Sequence, residues 1–317
     1  MIKPMRERDI SSQLILLLLL LLVGAYLSWQ SPYFMTLSNL RNVLDSVSIR
    51  IILALGMTFV IATGGIDLSA GSIVSLSAVV MGLLMTDGCS TPQVIMLGLA
   101  AATLLGVVNG LMIHLTGINA FIITLGTYSA YRGLALILTS GLPIYNFPAS
   151  FKFWGSGNIN SLNPPIIIMV VLVIAAAILL RRSKWGQYAL ALGGNGEALR
   201  RLGVKVGFYR VSVYAFAGLM AGLVGLIVTA RVGTAEPNAG LSMELDAITA
   251  VIMGGTLLTG GKASVGGTVI ACLLLALIRN GLTLLSVSSY YQQFIIGTLL
   301  LIAVIIAEIR EKNKVRL

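Results

Sequence analysis

Apolar residues come in long blocks along this chain and do not alternate with polar ones. Blocks of about 20 residues, enough to cross a ~30 Å hydrocarbon core, recur from Leu14 to Ala307 between short polar or turn-forming segments. The pattern predicts spans near 12–29, 46–63, 71–86, 93–114, 119–139, 164–181, 211–230, 244–260, 265–285 and 290–308. The expected architecture is an all-α, polytopic membrane helical bundle of about ten transmembrane helices, with 1–317 as a single transmembrane domain. The block from Leu14 follows Lys3, Arg6 and Arg8, as in a signal peptide. It runs on to Trp29 without a small-x-small cleavage site, so it is expected to be a retained first span.

Two connections are long. Ser140–Asn163 carries Pro143, Pro148, Phe151, Phe153 and Trp154 and is expected to lie along the membrane surface. The segment 181–210 is the longest hydrophilic stretch and the best candidate for a docking surface, against the plainer reading of a basic loop near anionic lipid.

Composition agrees: 57% of residues are hydrophobic and 10% charged, where a soluble domain carries roughly 25% charge. The net charge of +10 is explained by topology without nucleic acid. With both termini inside, 15 of the 21 Lys and Arg residues fall on inner segments. Arg41, Arg50, Arg132, Lys152, Arg231 and Arg279 are the six left near outer ends. The positive-inside rule then places both termini in the cytoplasm.

Gly64-Gly65-Ile66-Asp67-Leu68-Ser69-Ala70-Gly71 and Gly254-Gly255-Thr256-Leu257-Leu258-Thr259-Gly260-Gly261 share the pattern G-G-x-x-L-[ST]-x-G, 190 residues apart. Glycine lowers the cost of unwinding a helix, and irregular backbone at membrane depth is tolerated only where it lines a cavity or is buried in protein. Paired glycine breaks in two halves therefore point to a transport path, with close helix packing as the alternative. Gly218-x-x-x-Gly222 is read as packing. Asp67 is the carboxylate nearest a span interior, either a path residue or the N-cap of a helix starting at Leu68. Asn109, Thr124, Thr127, Arg132 and Asn280 are further polar groups within spans, as fit for helix-to-helix bonding as for solute contact. Candidate path or gate residues are Gly64, Gly65, Asp67, Ser69, Asn109, Thr124, Gly254, Gly255 and Asn280.

Catalysis finds little support. Cys89 and Cys272 suit packing better than a disulfide or metal site, and His114 is the single histidine. Gly261-Lys262 resembles the end of a phosphate loop, but Thr256 and Ala263 stand where that motif needs glycine and a hydroxyl. The chain is expected to be no enzyme, to bind no metal or cofactor, and to draw its energy from a partner or an ion gradient.

These residues resemble the membrane subunits of bacterial ATP-binding-cassette sugar importers, ribose-type permeases in particular. The resemblance covers nearly the whole chain. It rests on Ala62–Ser72, Phe121 with Thr124–Thr127, Ala191–Asn195 with Gly203-Val204, Leu245–Ile248, Gly254–Thr256, Gly266–Thr268 and Asn280–Leu282. It implies an inner-membrane permease for a monosaccharide, a ribose-like pentose or a hexose. ATP would be used by a cytoplasmic ATPase subunit. A periplasmic or lipid-anchored sugar-binding protein would deliver the solute, and a second permease copy or paralogue would complete a dimer. It further implies that Gly194, Asn195, Glu197, Ala198, Arg200, Arg201 and Gly203, within the loop 181–210, form the ATPase-coupling element. A short helix capped by Asn195 and ended by Gly203 is physically compatible with that role. On the outer side, Arg231, Glu236, Glu244 and Asp246 are candidates for docking the binding protein, though acids near a helix start also suit its dipole. An ion-coupled secondary sugar transporter or facilitator is the alternative. The scarcity of intramembrane carboxylates argues against it.

Overall fold

The computed structural model of the chain describes residues 5–160 and 162–315. The helices follow in the order α1 (Met5–Gln30), α2 (Leu37–Ala62), α3 (Ala70–Thr86), α4 (Thr91–Thr116), α5 (Ala120–Thr139), α6 (Ala149–Ser156), α7 (Pro164–Arg182), α8 (Lys184–Arg201), α9 (Val206–Val232), α10 (Met243–Met253), α11 (Val265–Leu284) and α12 (Ser289–Val315). Extended pairing among the described residues is confined to the isolated bridges Ile144–Ala235 and Ile159–Leu162.

Seven helices, α1, α2, α4, α5, α7, α9 and α11, are long and apolar enough to cross a membrane. The protein is therefore a polytopic helical membrane protein. Two of the ten expected spans fall on short helices. α3 has 17 residues, and the block 244–260 is helical only through the 11 residues of α10. The remainder of that block is the second glycine octet, which is unwound. The span expected at 290–308 lies in α12, whose side chains from Ile306 onward are outside the described residues, as are Lys3, Arg6, Arg8 and Arg316.

Burial shows which helices are central. The most apolar window of α2 is 83% buried, whereas that of α1 is 11% buried. α2 is enclosed almost all round from Val43 to Ala62, and α1 lies outside against α11, with Gly281 beneath Leu27. α4 and α9 approach closely through small residues. A Cβ at Gly218 would meet the Ala102 carbonyl at 2.4 Å, and one at Gly106 would meet the Tyr214 carbonyl at 2.2 Å. The Gly218-x-x-x-Gly222 stretch is thus a packing face, since backbone contact without a hydrophobic driving force needs small side chains.

The segment 140–163 contains one short helix, α6. Its Phe151 is fully buried and stacks near Phe147, at 4.9 Å between ring centroids, while Phe153 and Trp154 stay exposed. Of the three rings expected at the membrane surface, one is thus packed inside the protein. Gly155 lets α6 abut the backbone of α9 at Ala230 and Arg231.

Candidate functional site

Both glycine octets break a helix. α2 ends at Ala62 and α3 begins at Ala70; α10 ends at Met253 and α11 begins at Val265. The breaks demand glycine, because Gly64, Gly255, Gly260 and Gly261 have φ between +77° and +90°, a region costly for other residues. The two breaks meet each other. The Gly261 amide donates to the Ala62 carbonyl at 3.0 Å, and Gly260 packs on Gly64 so closely that a Cβ there would lie 2.6 Å from the Gly64 nitrogen.

A third glycine joins them. Gly193, in α8, leaves no room for a side chain: its Cβ would lie 2.1 Å from the Ala62 oxygen and 2.6 Å from the Gly261 nitrogen. Three segments far apart in sequence therefore touch backbone to backbone. α8 therefore reaches both breaks through backbone contact alone.

α8 is anchored at its other end by rings. Trp185 sits 5.0 Å from Phe59 and 5.6 Å from Phe216 between ring centroids, and its indole N–H donates to Ser212 Oγ at 2.8 Å. Beyond Gly193 and Gly194 the helix kinks at Asn195, whose backbone leaves the helical region (φ −159°, ψ 85°). Asn195 Oδ1 accepts from the Ala198 amide at 2.9 Å, so it caps a new short helix. Gly203, at φ +80°, ends that helix. Glu197, Arg200, Arg201 and Leu202 are exposed on it. Glu197 takes an ion pair from Arg200 and another from Arg201, each at 3.4 Å.

Above the junction lies a buried polar chain. Asp67 Oδ1 accepts from the Ser69 amide at 2.9 Å and from Ser69 Oγ at 2.6 Å. Asn109 of α4 donates to Ser69 Oγ at 2.7 Å and accepts from the Tyr131 hydroxyl of α5 at 3.1 Å. Thr124 of α5 donates to the Ile66 carbonyl at 3.0 Å. Asp67, Ser69, Asn109 and Thr124 are all fully buried. Asp67 therefore closes a turn on the residue two ahead and does not cap a helix at Leu68, since α3 starts at Ala70. The candidate residues Gly64, Gly65, Asp67, Ser69, Asn109 and Thr124 come together here. Gly254 lies apart against Gly267 and Thr268, and Asn280 pairs with Asn39 through two amide bonds of 2.8 and 3.1 Å, tying α11 to α2 away from this cluster.

The stretch before α10 enters the bundle. Gly82 of α3 lies against Ile144 and Ala235, and Gly71 lies against Gly240 and Glu244. Those glycines are separated by about 16 Å of helix, so the chain from Ala235 to Glu244 descends along α3. Arg132 receives it by donating through Nη1 to the Pro237 carbonyl at 3.0 Å and the Ala239 carbonyl at 2.8 Å. Arg132 is thus buried inside the bundle, where it holds this segment. Glu244 is buried against Gly71, and Asp246 bonds Arg279 at 2.9 Å and lies 3.6 Å from Arg50. Of the four expected docking residues, Arg231 and Glu236 are exposed, whereas Glu244 and Asp246 are turned to intramolecular contacts. Gly193, Arg132 and Tyr131 are the residues whose contacts the sequence did not reveal. Their only signals were a glycine before Asn195 and polar groups inside apolar blocks.

Comparison with known proteins follows this geometry. Residues 39–304 match the family model described as branched-chain amino acid transport system / permease component. The chain is 38% identical over 294 residues to the ribose import permease protein of Escherichia coli K12, covering 92% of each chain. It is 40% identical over 278 residues to the Bacillus subtilis ribose import permease, covering 87% of this chain and 86% of that one. It is 34% identical over 288 residues to the D-allose transport system permease of E. coli K12, covering 90% and 88%. A chain of a metal-chelate type ABC transporter in an inward-facing conformation shares the fold at a TM-score of 0.57. Identity is 15%, and 92% of this chain and 98% of that one are covered. The amino-acid label of the family model and the sugar names of the relatives differ. The chain belongs to this family of transport-system permease components.

Proposed function

We propose that the chain is the membrane-spanning permease of a binding-protein-dependent ABC importer that carries a monosaccharide into the cytoplasm, energised by a separate ATPase. The observation that carries this reading is the path from the capped helix 196–202 through Gly193 to both glycine breaks. The relatives named for ribose and allose support the solute class.

In this reading the chain crosses the bilayer ten times, with α3 and α10 as half-helices set against the breaks and both termini in the cytoplasm. Paired half-helices at a break are a recurrent device of transport paths. ATP-driven closure of the partner ATPases draws the helix 196–202 inward in each of two permease copies. Gly193 then displaces the Ala62 and Gly261 backbones, and the inner end of the path changes state. Arg200, Arg201 and Leu202 form the face offered to the ATPase. Arg231 and Glu236 form the part of the outer face offered to the binding protein, and ATP binds only to the partner subunit.

Reconstitution of this permease with its ATPase and binding protein in liposomes, followed by a panel of pentoses and hexoses, tests the reading. ATP-dependent uptake of a monosaccharide is expected. Uptake by the permease alone, unaffected by ATP, would overturn it in favour of a facilitator.

A further inference from the structure

The ion pairs of Asp246 lie at a depth where charge is costly. Asn39 and Asn280, bonded to each other, mark one end of α2 and of α11. Arg50 stands eleven residues further along α2, about 16 Å down its axis. Arg279, next to Asn280, donates through Nη2 to Asp246 Oδ1 at 3.2 Å and Oδ2 at 2.9 Å. Arg50 Nε reaches the same Oδ2 from 3.6 Å, and Arg50 Nη1 donates to Ser46 Oγ at 3.0 Å. Asp246 is therefore held between a guanidinium from near the helix ends and one from the middle of α2. An arginine so near a helix end can extend to interfacial water. Arg279 instead turns into the bundle.

The triad is neither neutral nor sealed. Two guanidinium groups share one carboxylate, which leaves one positive charge. The side chains of Arg279, Arg50 and Asp246 are 33%, 21% and 17% exposed. Arg279 Nε and Nη1 and Arg50 Nη2 have no acceptor among the described residues. Elsewhere the exposed faces of spanning helices are apolar, as from Leu14 to Leu22 in α1 and from Val170 to Ile178 in α7. Ionisable groups against hydrocarbon are expensive, and those found at membrane depth face the bundle interior or a water-filled path. The open side of the triad is thus a wet face and not a lipid face.

The gap among the three side chains, closed behind by Ala250, Leu275 and Ile296, holds about 10 Å³, room for about one water. A solute therefore meets the open side. That side offers free N–H donors next to a carboxylate acceptor, and sugar hydroxyls both donate and accept. We propose that Arg50, Asp246 and Arg279 form a sugar-receiving site on the solute path, about 18 Å along α2 from the first glycine break. The site deepens the reading of the chain as a monosaccharide permease and rests on it. Its unequal charge count has a use here, because the donors left over by Asp246 are the ones that hydroxyl oxygens take.

The test uses the full-length permease in nanodiscs, with C89S and C272A removing the native thiols and S46C as reporter one turn from Arg50. A membrane-impermeant methanethiosulfonate attacks thiolates, which form where water reaches them. S46C is expected to react about tenfold faster or more than I178C, on the exposed apolar face of α7. Excess D-ribose or D-glucose should slow the S46C reaction, and glycine betaine, the osmotic control, should not. The sugar concentration that halves the rate should rise about tenfold in R279Q, as loss of one charge-assisted contact implies. R279K keeps the charge and should recover part of the protection, which separates a lost contact from a misfolded variant. Equal reaction of S46C and I178C, no protection by either sugar, equal protection by betaine, or full protection in R279Q would overturn the proposal. The assay needs neither ATPase nor uptake. Failure of ATP-driven uptake with sugar protection intact would therefore count against the import reading alone.

Discussion

The two glycine octets share a spacing and diverge in everything built on it. The first break spans seven residues, from Thr63 to Ser69, and is braced by side chains. Asp67, Ser69, Asn109 and Tyr131 form one hydrogen-bonded chain, and Thr124 holds the Ile66 carbonyl. The second spans eleven residues, from Gly254 to Ser264, and contains three glycines at positive φ, Gly255, Gly260 and Gly261. Backbone contacts hold its middle, with the Gly261 amide on Ala62 and Gly193 and Gly64 against Gly260, and side chains tie only its far end, where Thr256 Oγ1 accepts from the Ser264 amide and Gln13 donates to Ser264 Oγ. A duplicated pattern can thus give one fixed half and one compliant half. Polar side chains buried together lock a conformation, whereas glycine contacts permit sliding. The short helix 196–202 reaches both through Gly193.

Filling the compliant half should have the largest effect. G193V places a branched side chain where even a Cβ would lie 2.1 Å from the Ala62 oxygen. Transport by the reconstituted importer is expected to fall to background, with the permease still inserted. G194A is its partner, because a Cβ there meets nothing nearer than 3.7 Å, and it should keep most of the uptake. Equal uptake by G193V and the parent would remove the junction from the mechanism.

Much of this contrast was legible in the sequence, and part of it was not. The octets, the unwound backbone and the Asn195 cap follow from local rules about glycine and asparagine, which need only a few neighbouring residues. The junction does not, because Ala62, Gly193 and Gly261 meet through tertiary packing that leaves no periodicity in any one segment. The descent of 235–244 was hidden for a related reason. A polar stretch after an apolar block reads as a surface loop, whereas Arg132, far away in α5, takes the Pro237 and Ala239 carbonyls and the Ile144 amide takes that of Ala235. The span read as 244–260 shows the same limit: apolar content continued through the octet, but the glycines ended the helix at Met253.

The braced half should respond to loss of polar contacts with a smaller, graded loss of stability. N109L removes the donor to Ser69 Oγ and the acceptor of the Tyr131 hydroxyl, all buried. The Ser69 and Tyr131 hydroxyls keep their bonds to Asp67 and to the Leu105 carbonyl, so the loss is about 0.5–1.5 kcal/mol per broken bond, to be read as a lower midpoint in detergent or urea unfolding. D67N keeps an oxygen for Ser69 and should cost less than D67A. If D67A and N109L were neutral while G260A were severe, the first break would not be braced by its side chains, and the contrast would fail.

The smallest effect belongs to the short helix 196–202. N195A deletes the side-chain oxygen that caps Ala198, a change worth about 1 kcal/mol in typical helices. Because the cap holds only the helix 196–202, global unfolding should hardly move, and the loss should appear as faster amide exchange confined to that turn. E197Q removes the partner of Arg200 and Arg201, but those pairs are exposed and one turn apart, so about 0.3–0.5 kcal/mol is the most expected. If the helix meets an ATPase, the two variants separate. N195A should reduce ATP-driven uptake by loosening the contact face, whereas E197Q frees two guanidinium groups for the partner and should leave uptake at or above the parental level. A fall of equal size in both would mean that Glu197 itself contacts the ATPase, and that the arginines are held by it for that contact.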